Sequence, residues 1–273
     1  MNEPPGGAGD LLTSRDALLG GRLSLRQPVK GHRVGSDAIL LAAAAPAEGV
    51  ARLVDVGAGV GAVGLAILRR LSGASADFVE QDVDLAALAQ ENAAQNGLQT
   101  RSRIVCVDIA EASARRAAGL LDGAADLVVT NPPFFDARSG RVSPDARRAS
   151  AHVFVDKASS DSSAGPLENW ILACVTLLAP GGRFILIHRP EALSRILAAF
   201  GRRLGSVAIL PIHPHAGAPA HRILVAGVKG ARSPISLRPG LVLHDSSGAF
   251  TPIGEAIHRG EVLIDWGGAR APR

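Results

Sequence analysis

A glycine-rich turn between an apolar run and an amphipathic stretch is the feature that most restricts the fold of this chain. The apolar run spans residues 52–56, the turn 57–61 reads Gly-Ala-Gly-Val-Gly, and apolar residues then recur at helical spacing as far as Leu71. Glycines at a strand-to-helix turn let the backbone approach a ligand and leave the N–H groups of the helix start directed at it. The pattern therefore predicts a β-α unit of a ligand-binding α/β fold.

Apolar runs and helical patterns alternate along the rest of the chain, which is typical of a doubly wound sheet. Only a short polar stretch separates the last two runs, which predicts an antiparallel hairpin that closes the sheet. Helical patterns are clearest at residues 61–71, 84–96, 166–178 and 190–203. The predicted strands lie near residues 52–56, 76–80, 102–107, 125–130, 182–188, 206–211 and 222–228.

The chain length of 273 residues fits one large α/β domain, and the 47% of hydrophobic residues suffices for its core. We predict a disordered tail over residues 1–20 and a single domain over residues 21–273. Within the domain, residues 136–165 are polar with little periodicity, and we interpret them as a lid that faces the substrate. Residues 234–273 are interpreted as a C-terminal decoration with a short strand and a short helix.

The chain is mildly basic, with a formal net charge of +4 and a pI near 9.8. This charge is compatible with a polyanionic partner but does not require one. No apolar stretch reaches the ~18 residues of a membrane span and no signal peptide is recognisable, so we expect a cytoplasmic protein without a membrane partner. Cys106 and Cys174 both stand in apolar runs, which predicts buried free thiols.

The tetrapeptide Asn131-Pro132-Pro133-Phe134 directly follows the apolar run 125–130. Asparagine before proline is restricted to extended conformations, and each proline fixes its own φ near ~−65°. The motif therefore predicts a stiff platform at the carboxyl edge of the sheet, with an amide oxygen and a backbone carbonyl beside an aromatic ring. This arrangement suits a planar substrate group that carries an exocyclic or amide nitrogen.

With these two motifs the sequence resembles the S-adenosylmethionine-dependent methyltransferases of the seven-strand Rossmann-like class, in the amino-methylating branch marked by Asn-Pro-Pro-aromatic. Two flanking segments, residues 31–41 and residues 218–225, resemble the bacterial tRNA adenine-N6 methyltransferases that modify valine tRNA. The resemblance covers about residues 20–260. It implies a mostly parallel sheet with an antiparallel closing hairpin, S-adenosyl-L-methionine as cofactor, and N6-methylation of an adenine in RNA, with tRNA as the expected partner.

Acidic residues stand at the ends of three successive predicted strands of this sheet, namely Asp55, Glu80 and Asp108. One such residue alone is often a cap or turn former, but three beside a glycine turn predict a binding site. We expect Asp55 to face the methionine part of the cofactor, Glu80 to accept both ribose hydroxyls, and Asp108 to bind the adenine amino group.

The resemblance further implies that Ser36 and Asp37 close over the amino-acid end of the cofactor. The alternative for Asp37 is to cap a helix that begins at Ala38, and both roles are compatible. The full set of expected cofactor-binding residues is Ser36, Asp37, Asp55, Gly57, Gly59, Gly61, Glu80, Asp108 and Asn131.

Asn131 is the expected centre of catalysis. An aromatic amine is a poor nucleophile because its lone pair is delocalised into the ring. Hydrogen bonds from its two N–H groups to the Asn131 side-chain oxygen and the Pro132 carbonyl favour a pyramidal nitrogen whose lone pair faces the sulfonium methyl, while Phe134 stacks on the base. The expected catalytic residues are Asn131, Pro132, Pro133 and Phe134. The structural alternative is a rigid Asx-Pro turn packed by phenylalanines.

A base inside folded RNA must leave its stack to reach such a pocket. The expected substrate-binding residues are Arg33, Phe135, Arg147 and Arg148. The three arginines belong to two basic groups of candidate phosphate contacts, each of which has a solvated charged face as its alternative. The groups are Arg22, Arg26, Lys30, His32 and Arg33 before the first helix, and Arg138, Arg141, Arg147 and Arg148 in the lid.

Other functions stay open at this stage. Residues 59–64 satisfy the G-x-G-x-x-G pattern of nicotinamide-dependent oxidoreductases, and Glu80 follows at roughly the expected spacing. Asp55 before the glycines and the Asn-Pro-Pro-Phe motif argue against that class. Among methyltransferases, ribosomal RNA guanine, protein glutamine and DNA adenine are alternative acceptors, and a non-enzymatic RNA-binding role would need a disabled cofactor site.

No metal site is expected from the histidines His213, His215 and His221, because they lack accompanying cysteines and helical spacing. Their alternation beside prolines predicts an exposed hairpin loop instead. Trp170 is interpreted as structural. The sequence leaves the oligomeric state open.

Overall fold

A nine-stranded sheet forms the centre of the computed structural model, which describes residues 12–30, 33–133 and 165–266. The strands in chain order are β1 Thr13–Leu18, β2 Leu23–Pro28, β3 Arg52–Val56, β4 Ser75–Glu80, β5 Ser102–Cys106, β6 Ala125–Thr130, β7 Leu178–His188, β8 Leu204–His215, β9 Arg222–Lys229, β10 Ser236–Leu237 and β11 Leu241–His244. The helices are α1 Ser36–Ala44, α2 Ala62–Arg70, α3 Val83–Gln95, α4 Ala112–Ala117, α5 Pro166–Leu177, α6 Leu193–Phe200 and α7 Pro252–His258.

The strand order of the large sheet is β10-β8-β9-β7-β6-β3-β4-β5, and β11 also pairs with β8. Strands β3 to β7 are mutually parallel, whereas β9 is antiparallel to both β7 and β8. The structure thus confirms the predicted mostly parallel sheet and its antiparallel closing hairpin. Parallel strands end at a common edge, so the turns after β3, β4, β5 and β6 lie side by side.

Both faces of the sheet are covered, because successive residues of a strand point to opposite sides. Leu53 and Leu127 join the cluster formed with α1, α2 and α3, while their neighbours Val54 and Val128 join the cluster formed with α5 and α6. This two-sided burial explains why the central strands appear in the sequence as continuous apolar runs.

The N-terminal hairpin β1–β2 corrects the predicted disordered tail, since Thr13–Leu18 form a strand. Leu23 and Leu25 of β2 are fully buried. The side-chain amides of Asn92 in α3 and of Asn96, directly after this helix, take the place of a neighbouring strand along β2. Asn92 Oδ1 accepts from Arg26 N at 2.7 Å, and its Nδ2 donates to Arg26 O at 2.9 Å. Asn96 makes the same pair of bonds to Ser24, at 3.1 and 2.7 Å.

The C-terminal segment is tied to both ends of α1. At the end of that helix, Ile264 N donates to Ala43 O at 2.9 Å, and the indole N–H of Trp266 donates to Ala44 O at 2.8 Å. At its start, the Ser36 hydroxyl contacts His258 Nε2 at 2.9 Å. The short strand and short helix expected in this region correspond to β11 and α7, and α1 is secured by His258 of α7 together with Ile264 and Trp266.

Further predictions are corrected by the strand pairing. Cys174 is buried, but Cys106 is exposed, because it ends β5 at the edge of the sheet. His213 and His215 do not lie in a hairpin loop; they belong to β8, which is extended by parallel pairing of Val242 with His213 and of His244 with His215. The predicted lid lies outside the described residues except for Gly165. None of the helices in the described ranges is long and apolar enough to cross a membrane.

Replacement of Gly64 by alanine is expected to destabilise the fold. A Cβ at this position of α2 would lie 2.2 Å from Cε1 of Phe78, a ring that is fully buried in β4. Overpacking of this kind costs about 1–3 kcal/mol. Urea unfolding followed by circular dichroism measures the loss. Gly73→Ala is the matched control, because a Cβ there meets no atom within 4 Å; equal midpoints for the two variants would contradict the close packing.

Candidate active site

The expected cofactor and catalytic residues of the described chain meet along the carboxyl edge of β3, β4, β5 and β6. Val56 at the end of β3 is paired with Val79 of β4 and with Thr130 at the end of β6, and Glu80 is paired with Cys106 of β5. The glycine turn, Glu80 and Asn131 therefore follow adjacent strand ends. Asp108 stands shortly after β5 at the same edge.

The glycine turn is folded onto the end of β4. Gly57 N and Ala58 N both donate to Val79 O, at 2.8 and 3.0 Å. Glu80 Oε2 accepts from Gly59 N at 2.8 Å, and this path of the chain requires positive φ angles at Gly57 (71°) and Gly59 (55°). The turn is held by backbone and carboxylate bonds, so its remaining N–H groups have a fixed direction.

Glu80 is a partly buried carboxylate with both oxygens in hydrogen bonds. Its second oxygen, Oε1, accepts from Asp82 N at 3.0 Å. Burial raises the pKa of Glu80, and the N–H groups of Asp82 and Gly59 act in the opposite direction. A carboxylate oxygen accepts along two lone-pair directions, so each oxygen retains the capacity to accept from a ligand hydroxyl.

Asp55 lies beneath the turn with only 1% of its surface exposed. Its Oδ2 accepts from Gly64 N at 2.8 Å, in the first turn of α2. Burial raises the pKa of the Asp55 carboxyl to about 7; the bond from Gly64 lowers it, and the nearby charge of Glu80 raises it further. Two neighbouring carboxyl groups with raised pKa values favour a cationic ligand, since a positive charge would relieve both the burial and the mutual repulsion.

Asn131 begins the segment after β6 and is half-buried, whereas Pro132 is buried. The residue before it, Thr130, is fully buried, and its hydroxyl donates to Val56 O at 2.8 Å. The indole N–H of Trp170 in α5 donates to Thr130 Oγ1 at 2.9 Å. The end of β6 is therefore bonded both to the end of β3 and to α5.

Trp170 is a residue that the sequence interpretation treated as structural only. A Cβ at residue 57 would lie 3.0 Å from Cζ2 of Trp170, so its ring packs against the glycine turn. Its indole N–H donates to Thr130 at the end of β6, so the same side chain contacts both the turn and this strand end. The feature of the sequence that could have drawn attention to Trp170 is its rarity, because the chain has only two tryptophans.

Ser36 and Asp37 form the start of α1, and Gly35 is the N-cap residue. The alternative in which Asp37 caps a helix beginning at Ala38 is therefore wrong. Asp37 Oδ2 accepts from Arg222 Nε of β9 at 2.8 Å, and this ion pair is about one-fifth exposed on each side. The start of α1 is thereby attached to the closing hairpin at the same edge of the sheet.

Asp108 makes a local turn, in which its Oδ1 accepts from Ala110 N at 2.8 Å. This is the structural role that a lone aspartate at a strand end often has. The side chain is half-buried.

The substrate-binding residues are described only in part. Arg33 forms an ion pair with Asp16 of the hairpin at 3.0 Å, and Arg26 forms one with Glu91 of α3 at 2.5 Å. These pairs are partly exposed to solvent and orient the two guanidinium groups. His32, Phe134, Phe135, Arg138, Arg141, Arg147 and Arg148 lie outside the described residues. Within the described ranges, no group of three or more His, Cys, Asp or Glu side chains could hold a metal ion.

Comparison with known proteins agrees with this geometry. Residues 32–160 match the family model described as "Methyltransferase small domain". A Porphyromonas gingivalis protein named tRNA1(Val) (adenine(37)-N6)-methyltransferase is 31% identical over 241 residues, which cover 85% of this chain and 89% of the relative. A protein of the same name from Aeromonas salmonicida is 30% identical over 221 residues, covering 80% of this chain and 85% of the relative.

Solved structures are similar in fold. A predicted O-methyltransferase from Agrobacterium tumefaciens has a TM-score of 0.67 at 30% identity, with coverage of 84% of this chain and 98% of that chain. A T. thermophilus 16S rRNA N2 G1207 methyltransferase in complex with AdoMet and guanosine has a TM-score of 0.53 at 20% identity, with coverage of 80% and 50%. The second likeness concerns the fold alone.

The fold is thus the Rossmann-like methyltransferase fold, and the similarity to the first relative extends over most of both chains. On these grounds the chain belongs to the family of the tRNA1(Val) (adenine(37)-N6)-methyltransferases.

Proposed function

We propose that this protein transfers the methyl group of S-adenosyl-L-methionine to N6 of an adenine in tRNA. The observation that carries the proposal is the pairing of Val56 with Thr130, which sets the glycine turn beside Asn131 at one edge of the sheet. The named activity of the relatives supports the same substrate. The net charge of +4 is compatible with an RNA partner.

The residues around the turn fit the chemistry of the cofactor. S-adenosyl-L-methionine supplies an electrophilic methyl group on a sulfonium centre and carries an ammonium group. Asp55 provides a buried carboxyl and Glu80 a partly buried one, both with raised pKa values, and a cation stabilises their charged forms. Glu80 additionally offers its remaining lone pairs to the ribose hydroxyls, and Asp108 accepts from the adenine amino group. Ser36 and Asp37 lie at the same edge to close over the amino-acid end.

Catalysis in this proposal is positioning of the acceptor nitrogen. The Asn131 side-chain oxygen and the Pro132 carbonyl accept hydrogen bonds from the two N–H groups of the flipped adenine. These bonds favour a pyramidal nitrogen with an accessible lone pair. Attack of this nitrogen on the methyl group would break the S–CH3 bond and leave S-adenosylhomocysteine as a neutral thioether, and the methylated nitrogen would then lose its extra proton to solvent. Asn131 is half-buried at the rim of the edge, which supports access by an extruded base.

The pair of acceptors also supports nitrogen over oxygen as the methylated atom. An amino group donates two hydrogen bonds, matching the side-chain and backbone oxygens of Asn131 and Pro132, whereas a hydroxyl donates only one. The Agrobacterium structure carries the name of a predicted O-methyltransferase, so product chemistry is the direct test. We infer that Arg33 and the basic residues near it contact the RNA backbone, together with Arg147 and Arg148, and that Phe135 contacts the substrate.

Transfer of labelled methyl groups into unmodified tRNA, followed by nucleoside digestion and mass spectrometry, tests the activity. We expect N6-methyladenosine as the product. Asn131→Ala is expected to lower kcat/KM by about 10²–10³-fold, because the amino group loses an oriented acceptor, with a much smaller change in the Kd for S-adenosylhomocysteine. Full activity of that variant would exclude the role of Asn131. A ribose-methylated product, or methylation confined to ribosomal RNA or a protein glutamine, would replace the proposed acceptor.

Binding of the cofactor is expected to release a proton near neutral pH. The carboxyl of Asp55 has a pKa of about 7 in the free protein, and an adjacent cation lowers it, so affinity for S-adenosylhomocysteine rises as the pH increases through about 7. In the free protein the same group lowers stability as the pH rises from 3.8 to about 7, because the folded state retains a proton that the unfolded state has lost.

Titration calorimetry at pH ~7 in two buffers of different ionisation enthalpy measures the released protons directly. We expect up to about half a proton per bound ligand in wild type, because a carboxyl with a pKa of about 7 is half protonated at this pH, and a clear reduction in Asp55→Asn. Binding enthalpies that are equal in both buffers would contradict the coupling, and this wild-type measurement stands even if the variant does not fold.

A further inference from the structure

We propose that Trp170 is a positioning residue, which holds the end of β6, and with it Asn131, against the glycine turn. The inference rests on the proposed function, because that function assigns the methyl donor to the turn and the acceptor nitrogen to Asn131. It adds a residue from a helix that contributes none of the expected binding or catalytic side chains.

The first observation is a directed chain of hydrogen bonds. The indole N–H of Trp170 can only donate, so Thr130 Oγ1 is the acceptor of the bond at 2.9 Å. The Thr130 hydroxyl then donates to Val56 O at 2.8 Å. Because Thr130 is fully buried, these partners are not replaced by solvent at low cost. The chain connects α5, the end of β6 and the end of β3.

The second observation is the contact of the same ring with the turn. A Cβ at Gly57 would lie 3.0 Å from Cζ2 and 3.2 Å from Cη2 of Trp170, so the indole occupies the space of a side chain at that position. Gly57 N is at the same time bonded to Val79 O. One rigid ring system thus contacts the turn through its carbon edge and the end of β6 through its nitrogen.

The third observation is the support of the ring itself. In α5, Glu168 forms a bidentate ion pair with Arg195 of α6, at 2.7 and 2.8 Å. At the other end of α5, Lys229 Nζ donates to Val175 O at 3.0 Å and to Leu178 O at 2.6 Å. The helix that carries Trp170 is therefore fixed to neighbouring elements at both ends.

The consequence concerns the distance between the methyl donor and the acceptor nitrogen. Val56 and Thr130 are register partners, and the next residues along the two strands are Gly57 and Asn131. Movement of one strand end relative to the other changes the distance between the acceptor nitrogen and the methyl group of the donor. A displacement of about 1 Å at a reacting centre can cost 10²-fold in rate, so a residue that fixes both ends affects kcat without touching the reactants.

Two substitutions test the chain of hydrogen bonds. Thr130→Val retains the shape and loses the hydroxyl, whereas Trp170→Phe retains an aromatic ring but loses the N–H and part of the ring contact with the glycine turn. We expect each to lower kcat about tenfold, with the KM for tRNA and the Kd for S-adenosylhomocysteine changed less than about threefold. The double variant is expected to resemble the single variants, because the residues act through one chain of bonds.

Two controls separate positioning from general structural damage. Thr130→Ser restores the hydroxyl and is expected to keep kcat within about threefold of wild type. Trp266→Phe removes the other indole N–H, which is bonded to Ala44 O at 2.8 Å at the end of α1, and is expected to leave kcat unchanged. Unchanged kcat in both Trp170→Phe and Thr130→Val would overturn the inference.

Amide hydrogen exchange of the free protein gives a readout that does not depend on activity. Trp170→Phe is expected to raise exchange in residues 57–61 and 127–131 more than in residues 76–79 of β4. An even increase across all three segments would assign Trp170 to general stability and overturn its positioning role. If wild type transfers no methyl group to RNA, the proposed function is wrong, and the exchange pattern still decides whether Trp170 connects the two strand ends.

Discussion

The parallel register of β3 between β4 and β6 is the constraint on which the site depends. Val56 lies between Val79 and Thr130, and the polar groups just beyond these residues become neighbours only in that register. Bonds at the strand ends secure it on both sides, since Gly57 N donates to Val79 O and Thr130 donates its hydroxyl to Val56 O. A shift of one residue would exchange the faces of the strand and move the glycine turn away from Asn131.

The carboxyl groups of Asp55 and Glu80, at the carboxyl edge of the sheet, lower the stability of the free protein. Burial raises the pKa values of Asp55 and Glu80, and backbone N–H groups compensate only in part. Carboxyl groups of this kind destabilise the fold without a ligand and stabilise the complex with a cation. Binding sites that need a charge in a desolvated pocket often contain such groups. The same backbone N–H groups, from Gly59, Gly64 and Asp82, set the direction of both carboxylates.

The sequence predicted the central strands and the closing hairpin because apolar runs and helical spacing are local patterns. It also predicted which polar residues follow the strand ends, since parallel topology brings those ends together. The hairpin β1–β2 was missed because its anchoring amides, Asn92 and Asn96, lie far along the chain in a helix. Cys106 is exposed because β5 is at the edge of the sheet, and His213 lies in a strand because β11 pairs with β8. Neither arrangement follows from a local sequence pattern. Trp170 was undervalued because Thr130 and Gly57 are distant in sequence.

The attachment of α1 to residues from the end of the described chain has a consequence for the order of folding. His258 meets Ser36 at the start of this helix, and Ile264 and Trp266 bond to its last carbonyls. During synthesis these partners leave the ribosome long after α1 itself, so the helix spends most of translation with its ends exposed to water. Contacts between such remote segments slow folding and join early and late parts of the chain into one cooperative unit. Completion of the carboxyl edge of the sheet, to which the start of α1 is attached through Asp37 and Arg222, is therefore a late event in the formation of the enzyme.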